Sequence, residues 1–419
     1  MLIPVPTYVT EVLDQLTRLG YEAYVVGGCV RDSLLGREPA DWDVCTGATP
    51  EEMLMVFRRF RVFKTGLKHG TLTVRSRGHS VEVTTFRTDG AYTDNRHPDA
   101  VTFVSHVEED LARRDFTINA MAYHPEKGLV DAFGGQEDLS AHVLRCVGEP
   151  DIRFNEDGLR ILRALRFAAR FSFGIERETA YSIHRNRYLL ENISAERICK
   201  ELQGILCAPG VRDMLTGFPD VFVGIIPELS PLLTLSRGEE VEWAYTAAAV
   251  SAAPADFALR MALLLHGPAA EAAPHIMRRL KSDNATAHTI TTLLKEIRLP
   301  LPDARPGMRK LIGRIGKELT QLLFAMHRAL LAIQPAAQAE SSESRLRRAL
   351  LLAEDTLAES PRAFNISDLA ITGNDLMEIA IPAGPHMGRI LASLLDEVQE
   401  EQLENTRTAL LNRASEWKN

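Results

Sequence analysis

The segment from Val25 to Val44 combines glycines, an arginine and two carboxylates at spacings that suit phosphate chemistry. Gly27-Gly28 stands between a strand-like run and a helix predicted from about Val30, so backbone N–H groups and the helix N-terminus could approach a phosphate. Arg31 would add a guanidinium to the same phosphate. The pattern therefore predicts a phosphate-binding turn.

Two carboxylates follow this turn. Asp41 and Asp43 flank Trp42, and residues two apart in a strand share one face, so both carboxylates would project together while Trp42 points away. Mg²⁺ is typically bound by one or two carboxylates together with substrate phosphates. Two such ions could activate an attacking hydroxyl and stabilise a leaving pyrophosphate. A lone Gly-Gly is usually only a turn and a lone D-x-D is usually surface charge, so the hypothesis depends on their combination.

A second charged group lies in the run EEDLARRDFTINAMAY. Arg113 and Arg114 precede Asp115, and Asn119 follows four residues later, which would be one turn on in a helix. Guanidinium forks match phosphate, and a carboxylate can accept hydrogen bonds from ribose hydroxyls. Two adjacent arginines on a solvated face would give the same pattern, so the motif taken alone leaves both interpretations open.

A third charged group stands in RFNEDGLRILRALRFAARF. Glu156, Asp157 and Arg160 form an E-D-x-x-R pattern at the predicted start of a helix, and Arg163 and Arg166 continue it in steps of three. Residues three apart lie on one helical face, so Asp157 and Arg160 would project together. Acidic residues at a helix N-terminus, and Asp–Arg pairs on a surface, also occur for purely structural reasons.

The elements that would position these groups differ along the chain. Residues 1–135 contain β-branched and aromatic runs with Gly, Asp and Asn boundaries, AVTFVSH among them, which predict a sheet of about five strands. From about residue 150, Leu, Ala, Arg and Glu recur at helical spacing. We therefore predict a mixed α/β head and an all-helical remainder, with residues 334–344 (QPAAQAESSES) interpreted as a polar linker.

Composition excludes several function classes. The chain has 419 residues, 45% of them hydrophobic and 25% charged, so it can bury a core and is long enough for several domains. No apolar run approaches the ~18–20 residues of a membrane span, and the start MLIPVPTYVTEVLDQL lacks a signal-peptide pattern, so we expect neither membrane association nor secretion. Five scattered cysteines without a C-x-x-C pair favour reduced thiols in the cytoplasm and argue against structural zinc. A net charge of −8 does not suit a protein that coats nucleic acid non-specifically.

Together, the glycine pair, Arg31-Asp32, the later Gly36 and the D-x-D pattern resemble the signature of the DNA polymerase β-like nucleotidyltransferase superfamily. More narrowly, the chain resembles the class II tRNA nucleotidyltransferases, the CCA-adding enzymes, and their relatives the bacterial poly(A) polymerases. The resemblance implies four parts: an α/β nucleotidyltransferase head with a mixed sheet (1–138), a helical neck with a nucleotide-selecting helix (139–205), a helical body (206–335) and a helical, tRNA-binding tail (336–419).

The resemblance also implies roles for the charged groups. Asp41 and Asp43 would bind the catalytic Mg²⁺, with Glu82 in HSVEVTTFR as a candidate third carboxylate, although an ordinary Glu at a strand edge fits that position equally well. The RRD element would contact ribose and triphosphate. Asp157 and Arg160 would act as a protein template for the incoming base. The implied nucleotide-binding residues are Gly27, Gly28, Arg31, Arg113, Arg114, Asp115, Asn119, Asp157, Arg160, Arg163 and Arg166.

Such a protein template has a chemical basis. Cytosine and adenine present an amino donor beside an unprotonated ring nitrogen, whereas uracil and guanine present the reverse pattern. An Asp acceptor beside an Arg donor therefore pairs with C and A. A mismatched base would leave a buried polar group unpaired, at a cost of about 1–3 kcal/mol.

The activity implied by the resemblance is template-independent addition of C, C and A to the tRNA 3′ end from CTP and ATP, with release of pyrophosphate. Tyr92, Asp94, Arg96 and Pro98 follow the order of a flexible loop of that family whose presence favours A addition. Two further segments, DAFGGQEDL (131–139) and ISAERICKEL (193–202), resemble the family's hinge between head and neck and a neck motif interpreted as scaffolding. An A-only tRNA nucleotidyltransferase, a bacterial poly(A) polymerase and a catalytically silent RNA-binding module stay open as alternatives, and the sequence leaves the oligomeric state undetermined.

Overall fold

The computed structural model of this chain describes residues 2–90, 101–237, 240–333, 336–358 and 363–417. The chain falls into two compact units, Met1–Ser230 and Pro231–Asn419. The first unit contains the mixed sheet and all three charged groups. Within the described ranges, no helix is both long and apolar enough to span a bilayer. The four-part division into head, neck, body and tail stays a prediction.

The strands of the described residues are β1 (Ala23–Val26), β2 (Asp43–Thr46), β3 (Arg61–Phe63), β4 (Thr71–Ser76), β5 (His79–Thr85), β6 (Arg87–Asp89), β7 (Val101–Phe103), β8 (Ala122–His124), β9 (Gly128–Val130), β10 (Val143–Leu144), β11 (Gly174–Ile175), β12 (Ser236–Arg237) and β13 (Glu240–Val241). In this described part, seven strands form one sheet in the order β3-β4-β5-β2-β1-β8-β9. β2 and β5 run parallel, whereas β1 pairs antiparallel with both β2 and β8. The predicted mixed sheet is therefore confirmed, with the fully buried β1 inside it.

The sheet has more strands than the predicted number of about five. β8 and β9 were missed because each has only three residues, too few for a period-2 pattern to be recognised. The run AVTFVSH, which we expected in this sheet, instead provides β7, and β7 pairs with β6 in a separate two-stranded ladder.

The α-helices described in the first unit are α1 (Thr7–Arg18), α2 (Gly28–Leu34), α3 (Pro50–Val56), α4 (Val107–Ala112), α5 (Gly135–Ala141), α6 (Pro150–Glu156), α7 (Leu159–Phe171), α8 (Arg177–Asn186), α9 (Ala195–Leu206), α10 (Val211–Gly217) and α11 (Pro219–Ile225). α7 is amphipathic and packs against α9. Its apolar face buries Ile161, Leu162 and Leu165, which leaves its arginines to face the site and the solvent.

The α-helices described in the second unit are α12 (Glu242–Ala252), α13 (Phe257–Leu265), α14 (Ala273–Arg279), α15 (Asn284–Glu296), α16 (Arg305–Leu331), α17 (Ala336–Leu357), α18 (Gly373–Glu378), α19 (Pro385–Gln399) and α20 (Arg407–Glu416). Short 3₁₀ helices occupy Leu67–His69, Thr117–Asn119, Arg187–Asn192, Pro227–Leu233 and Ile366–Asp368. The helical remainder is thus confirmed. The interpretation of residues 334–344 as a linker is wrong, because α17 begins at Ala336 in a run of Ala, Gln and Glu, which are good helix formers.

Candidate active site

The paired carboxylates project from one side of the sheet, as the alternation predicts. Asp43 opens β2, Asp41 lies just before the strand, and both are exposed while Trp42 between them is buried. Asp43 stands in register with Glu82 on the parallel neighbour β5. Two strands therefore bring their acidic side chains to the same place on the sheet.

These carboxylates repel one another. The surrounding protein excludes water from Asp43 and, together with the charges of Asp41 and Glu82 and against the Arg114 charge, raises its pKa to about 6. A bound cation would relieve this repulsion. Within the described residues no three His, Cys, Asp or Glu side chains lie close enough to hold a metal ion together. A cation here would therefore need oxygen ligands from a substrate as well.

The glycine turn brings an arginine towards these carboxylates. Gly27 joins β1 to α2 with a φ of 78°, a backbone conformation that residues other than glycine rarely adopt. A Cβ on Gly27 would lie 2.8 Å from the Arg114 guanidinium, so the missing side chain is what allows the approach. Asp110 on α4 accepts from Arg113 at 2.6 Å and from Arg114 at 3.3 Å, and it is buried. We did not predict Asp110, although its spacing of three and four residues from the two arginines was a usable signal.

Asp115 and Asn119 meet, but not within one α-helix: Asn119 ends the 3₁₀ helix Thr117–Asn119. Asp115 follows the end of α4, and its Oδ1 accepts hydrogen bonds from Asn119 Nδ2 at 3.0 Å and from the backbone N–H of Phe116 at 2.9 Å. Its Oδ2 forms a forked pair with Arg163 at 2.6 and 2.9 Å. Burial alone would raise the pKa of Asp115, but the Arg163 charge and these hydrogen bonds outweigh it and hold the pKa at about 2. Asp115 is thus ionised and fully occupied in orienting its neighbours.

Asp157 and Arg160 come together by a geometry different from the predicted helical face. α6 ends at Glu156, Asp157 is extended with φ −143° and ψ 106°, and α7 begins at Leu159. Asp157 accepts from the backbone N–H of Leu159 at 3.0 Å and from Arg197 at 2.8 Å. Arg160 is paired with Glu156 and donates to the Arg113 carbonyl at 3.3 Å. The prediction that both residues lie on one helix is wrong, because the turn between two helices places Asp157.

One cavity of about 310 Å³ is lined by most of the predicted nucleotide-binding residues. Its lining consists of Arg113, Arg114, Asp115, Asp157, Leu159, Arg160, Arg163 and Arg197. Arg197, which we assigned to scaffolding, is therefore part of the site. The remaining members of the predicted set, Gly27, Gly28, Arg31, Asn119 and Arg166, lie outside this lining.

Two of the arginines outside the cavity are held by other partners. Arg31 is buried, and its guanidinium contacts Asp32 at 2.8 Å and the Asn119 side chain. Arg166 pairs with Glu201 on α9 at 2.5 Å and packs against Gly204, where a Cβ would collide with it. Arg31 therefore reaches the site through Asn119, and Arg166 fixes α7 to α9.

The sequence also predicts a loop segment and a hinge segment. Tyr92, Asp94, Arg96 and Pro98 lie outside the described residues. In the hinge-like segment, Asp131 accepts from the backbone N–H groups of Gly135 and Gln136 at 2.7 and 2.8 Å and so fastens the start of α5.

Comparison with known proteins identifies the family. A CCA-adding enzyme of Lactobacillus johnsonii is 36% identical to this chain over 427 residues, with 96% of each chain covered. The chain belongs to the family of CCA-adding enzymes. The CCA-adding enzyme of Geobacillus thermodenitrificans is 34% identical, covering 94% of this chain and 93% of its own length. The resemblance inferred from the sequence motifs is therefore confirmed, and with it the assignment as a tRNA nucleotidyltransferase.

Family models and solved structures agree with this membership. Residues 23–145 match the poly A polymerase head domain, residues 172–217 match a probable RNA and SrmB-binding site of polymerase A, and residues 258–414 match a putative tRNA nucleotidyltransferase domain 2. The Bacillus stearothermophilus CCA-adding enzyme in complex with CTP is 29% identical, with a TM-score of 0.74 over 98% of this chain and 96% of that one. The Thermotoga maritima CCA-adding enzyme complexed with tRNA shares the fold, at a TM-score of 0.64 and 20% identity. CCA-adding enzymes are nucleotidyltransferases, which generally depend on a metal ion.

Proposed function

We propose that this chain adds C, C and A to the 3′ end of tRNA, using CTP and ATP without a nucleic-acid template. The observation that carries the proposal is the cavity in which Asp157 and Arg160 face the same space as Arg113, Arg114 and Arg163. The first two offer an acceptor and a donor for a base edge. The three arginines offer guanidinium forks for phosphate oxygens.

Base selection follows from this pairing of an acceptor with a donor. The Asp157 carboxylate can accept from the exocyclic amino group of cytosine or adenine, and Arg160 can donate to the neighbouring ring nitrogen. Uracil and guanine would set a carbonyl against the carboxylate and a ring N–H against the guanidinium. Because these polar groups would be desolvated and unpaired, the wrong bases are disfavoured by about 1–3 kcal/mol for each lost hydrogen bond.

The carboxylates at the start of β2 suit Mg²⁺. Mg²⁺ prefers six oxygen ligands and is commonly bound by one or two carboxylates plus substrate phosphates and water. Asp41 and Asp43 provide the two carboxylates, and their mutual repulsion favours a cation. Glu82, in register with Asp43, is the candidate for a third and would have to approach the pair to share the ion. When bound, Mg²⁺ would stabilise the charge that develops at the reacting phosphate.

The other side chains would position the reactants. Arg114 lies beside Gly27 and its charge acts on Asp43, so it can neutralise phosphate oxygens next to the carboxylates. Asp115 holds Arg163 and Asn119 in place, and Asp110 holds Arg113 and Arg114. With its guanidinium groups fixed beforehand, the site loses little side-chain freedom when a nucleotide binds.

The cytoplasm is the compartment that we propose for this reaction. The five cysteines, all within the described residues, form no disulfide, and burial raises the pKa of the Cys29 thiol to about 11 and that of Cys146 to about 12. Protonated, unreactive thiols suit a reducing compartment.

One experiment tests the function and its alternatives. The full chain is incubated with a tRNA transcript that ends at the discriminator base, with Mg²⁺, CTP and ATP, and the products are sequenced. We expect products that end in CCA, and products that stop rather than grow when ATP alone is offered to a tRNA ending in CC. Addition of A only to tRNA already ending in CC would identify an A-only enzyme. A lengthening A tail would identify a poly(A) polymerase, and binding without extension would identify a silent RNA-binding module.

A further inference from the structure

A row of arginines and phenylalanines runs along α7 away from the nucleotide cavity. Phe167 and Phe171 stack with ring planes 2° apart and centroids separated by 6.2 Å. The guanidinium groups of Arg163 and Arg166 lie over the Phe167 ring at 5.4 and 4.2 Å, and that of Arg170 lies over Phe171 at 5.4 Å. Contacts of this kind hold a guanidinium over a ring while leaving N–H groups available for another partner.

The end of α2 adds one more arginine to this row. Gly36, with φ 69°, closes the helix in a Schellman motif, because its N–H donates to the Ser33 carbonyl at 3.0 Å and the Arg37 N–H donates to the Asp32 carbonyl at 2.8 Å. This turn brings the Arg37 guanidinium to 5.1 Å from the Phe171 ring. The arginine–phenylalanine strip consists of Arg37, Arg163, Arg166, Phe167, Arg170 and Phe171.

The arginine–phenylalanine strip carries more positive charge than the carboxylates paired with it neutralise. Asp115 pairs with Arg163 and Glu201 pairs with Arg166. Arg37 and Arg170 are exposed and form no ion pair with any carboxylate in the described part of the chain. Beneath them the buried Arg31 lies 4.9 Å from the Phe171 ring. Two uncompensated cations held against one ring make a surface suited to an anionic partner.

We propose that the arginine–phenylalanine strip binds backbone phosphates of the RNA substrate near the 3′ end that the cavity extends. The proposal rests on the proposed tRNA nucleotidyltransferase function. Continuity with the site supports it, because Arg163 belongs to both the cavity and the strip. At about 1.5 Å per helical residue, Arg163 and Arg170 are about 10 Å apart along α7, roughly three nucleotides of a stacked strand.

The length and the placement of the strip favour RNA over a second nucleotide. The cavity already contains arginines for one triphosphate, including Arg113, Arg114 and Arg163. Arg37 and Arg170 lie beyond that lining, on exposed surface that a strand could follow. Phosphate contacts of this kind give affinity without sequence information, as an enzyme that serves many tRNAs needs.

The test compares two double variants of the full chain. In R37Q/R170Q both uncompensated cations of the strip are removed. The control R58Q/R59Q removes two exposed arginines that follow α3 and, in the described part of the chain, likewise have no ion pair. A tRNA transcript ending at the discriminator base is the RNA, and KM for RNA, KM for CTP and kcat are measured over a series of NaCl concentrations. Thermal unfolding of each variant checks the fold.

For R37Q/R170Q we expect KM for the RNA to rise about tenfold while KM for CTP and kcat stay within about twofold of wild type. The slope of log KM for the RNA against log salt concentration should be smaller by about 1.5 than in the wild type, since two phosphate contacts are lost. The variant R37K/R170K, which keeps the charges, should recover most of the RNA affinity. The control R58Q/R59Q should behave as wild type.

Other outcomes would overturn the proposal. A rise in KM for CTP with unchanged KM for RNA would assign the strip to the nucleotide. Equal losses in R37Q/R170Q and R58Q/R59Q would reduce the effect to net charge, and no change in either KM would leave the strip without RNA contacts. Failure of the proposed function is distinguishable, because then the wild-type chain itself would not extend the transcript.

Discussion

Arg197 on α9 donates a 2.8 Å hydrogen bond to the Asp157 carboxylate, forty residues earlier in the chain. The other Asp157 oxygen is held by the backbone N–H of Leu159, so the carboxylate has one fixed orientation. Both side chains line the cavity. Arg197 is therefore a positioning residue for the acceptor that we assign to base selection.

The first prediction concerns this pair. In Arg197→Met the Asp157 carboxylate loses its support, so the preference for CTP and ATP over UTP and GTP should fall by about 5- to 50-fold. Asp157→Ala should cause a loss at least as large, because the acceptor itself is gone. Single-nucleotide incorporation with each of the four triphosphates measures the ratio. Arg185→Gln, which breaks an exposed pair with Asp151, is the matched control and should leave selectivity unchanged. Unchanged selectivity in Arg197→Met, with lower stability, would reduce Arg197 to scaffolding.

The second prediction concerns the acidic pair Asp41 and Asp43 at the start of β2. Asp41→Ala or Asp43→Ala should reduce nucleotide transfer by at least about 100-fold, because charge stabilisation at the reacting phosphate is lost. The raised pKa of Asp43 means that its charge disfavours the folded state, so at neutral pH the chemical denaturation midpoint should stay unchanged or rise. Glu82→Gln, tested beside them, decides whether Glu82 shares the metal. If Asp41→Ala kept more than about a tenth of the wild-type rate, the metal assignment would be wrong.

The third prediction is a pH dependence of stability. The folded-state pKa of Asp115 is about 2, below the ordinary value of 3.8, so its ionised form stabilises the fold above pH 4 and this contribution is lost as pH falls towards 2. The contribution is about 2 kcal/mol at neutral pH, and roughly half of it should be gone by pH 3. Urea denaturation of the wild type and Asp115→Asn should therefore show a gap in midpoint that narrows between pH 5 and pH 3. A gap independent of pH would mean that the Asp115 charge does not matter to stability.

The fourth prediction concerns the glycine that begins α5. A Cβ on Gly135 would collide with the Thr117 carbonyl and crowd the Met121 side chain at 2.9 Å. Since the Thr117 carbonyl belongs to the backbone and can move only if the chain around it is distorted, Gly135→Ala should lower the free energy of unfolding by about 1–3 kcal/mol. Gly217→Ala, at the last residue of α10 and with nothing within 4 Å of its Cβ, is the control and should be neutral or stabilising. Similar midpoints for the two variants would contradict the close packing at Gly135.

The sequence by itself determined the chemistry and the class of fold. Glycines between a strand and a helix, carboxylates two residues apart and clustered arginines are local patterns, and their meaning depends on spacing within about one helical turn or one strand. For the same reason the change from a mixed sheet to helices was readable. Local patterns also misled, since Asp157 was expected on a helix that begins only at Leu159.

Only the tertiary structure decided which residues act together. The pairs Asp157–Arg197 and Asp115–Arg163 join residues 40 and 48 positions apart, and no periodicity in one sequence encodes such distances. Burial was equally hidden: Arg31 and Arg163 are both arginines in charged motifs, yet one lies beneath the aromatic rings and the other lines the cavity. The physical reason is that a charged side chain pairs with whichever group tertiary packing places beside it, as the packing of α7 against α9 does here. Sequence spacing constrains only which residues are neighbours on the same helix or strand.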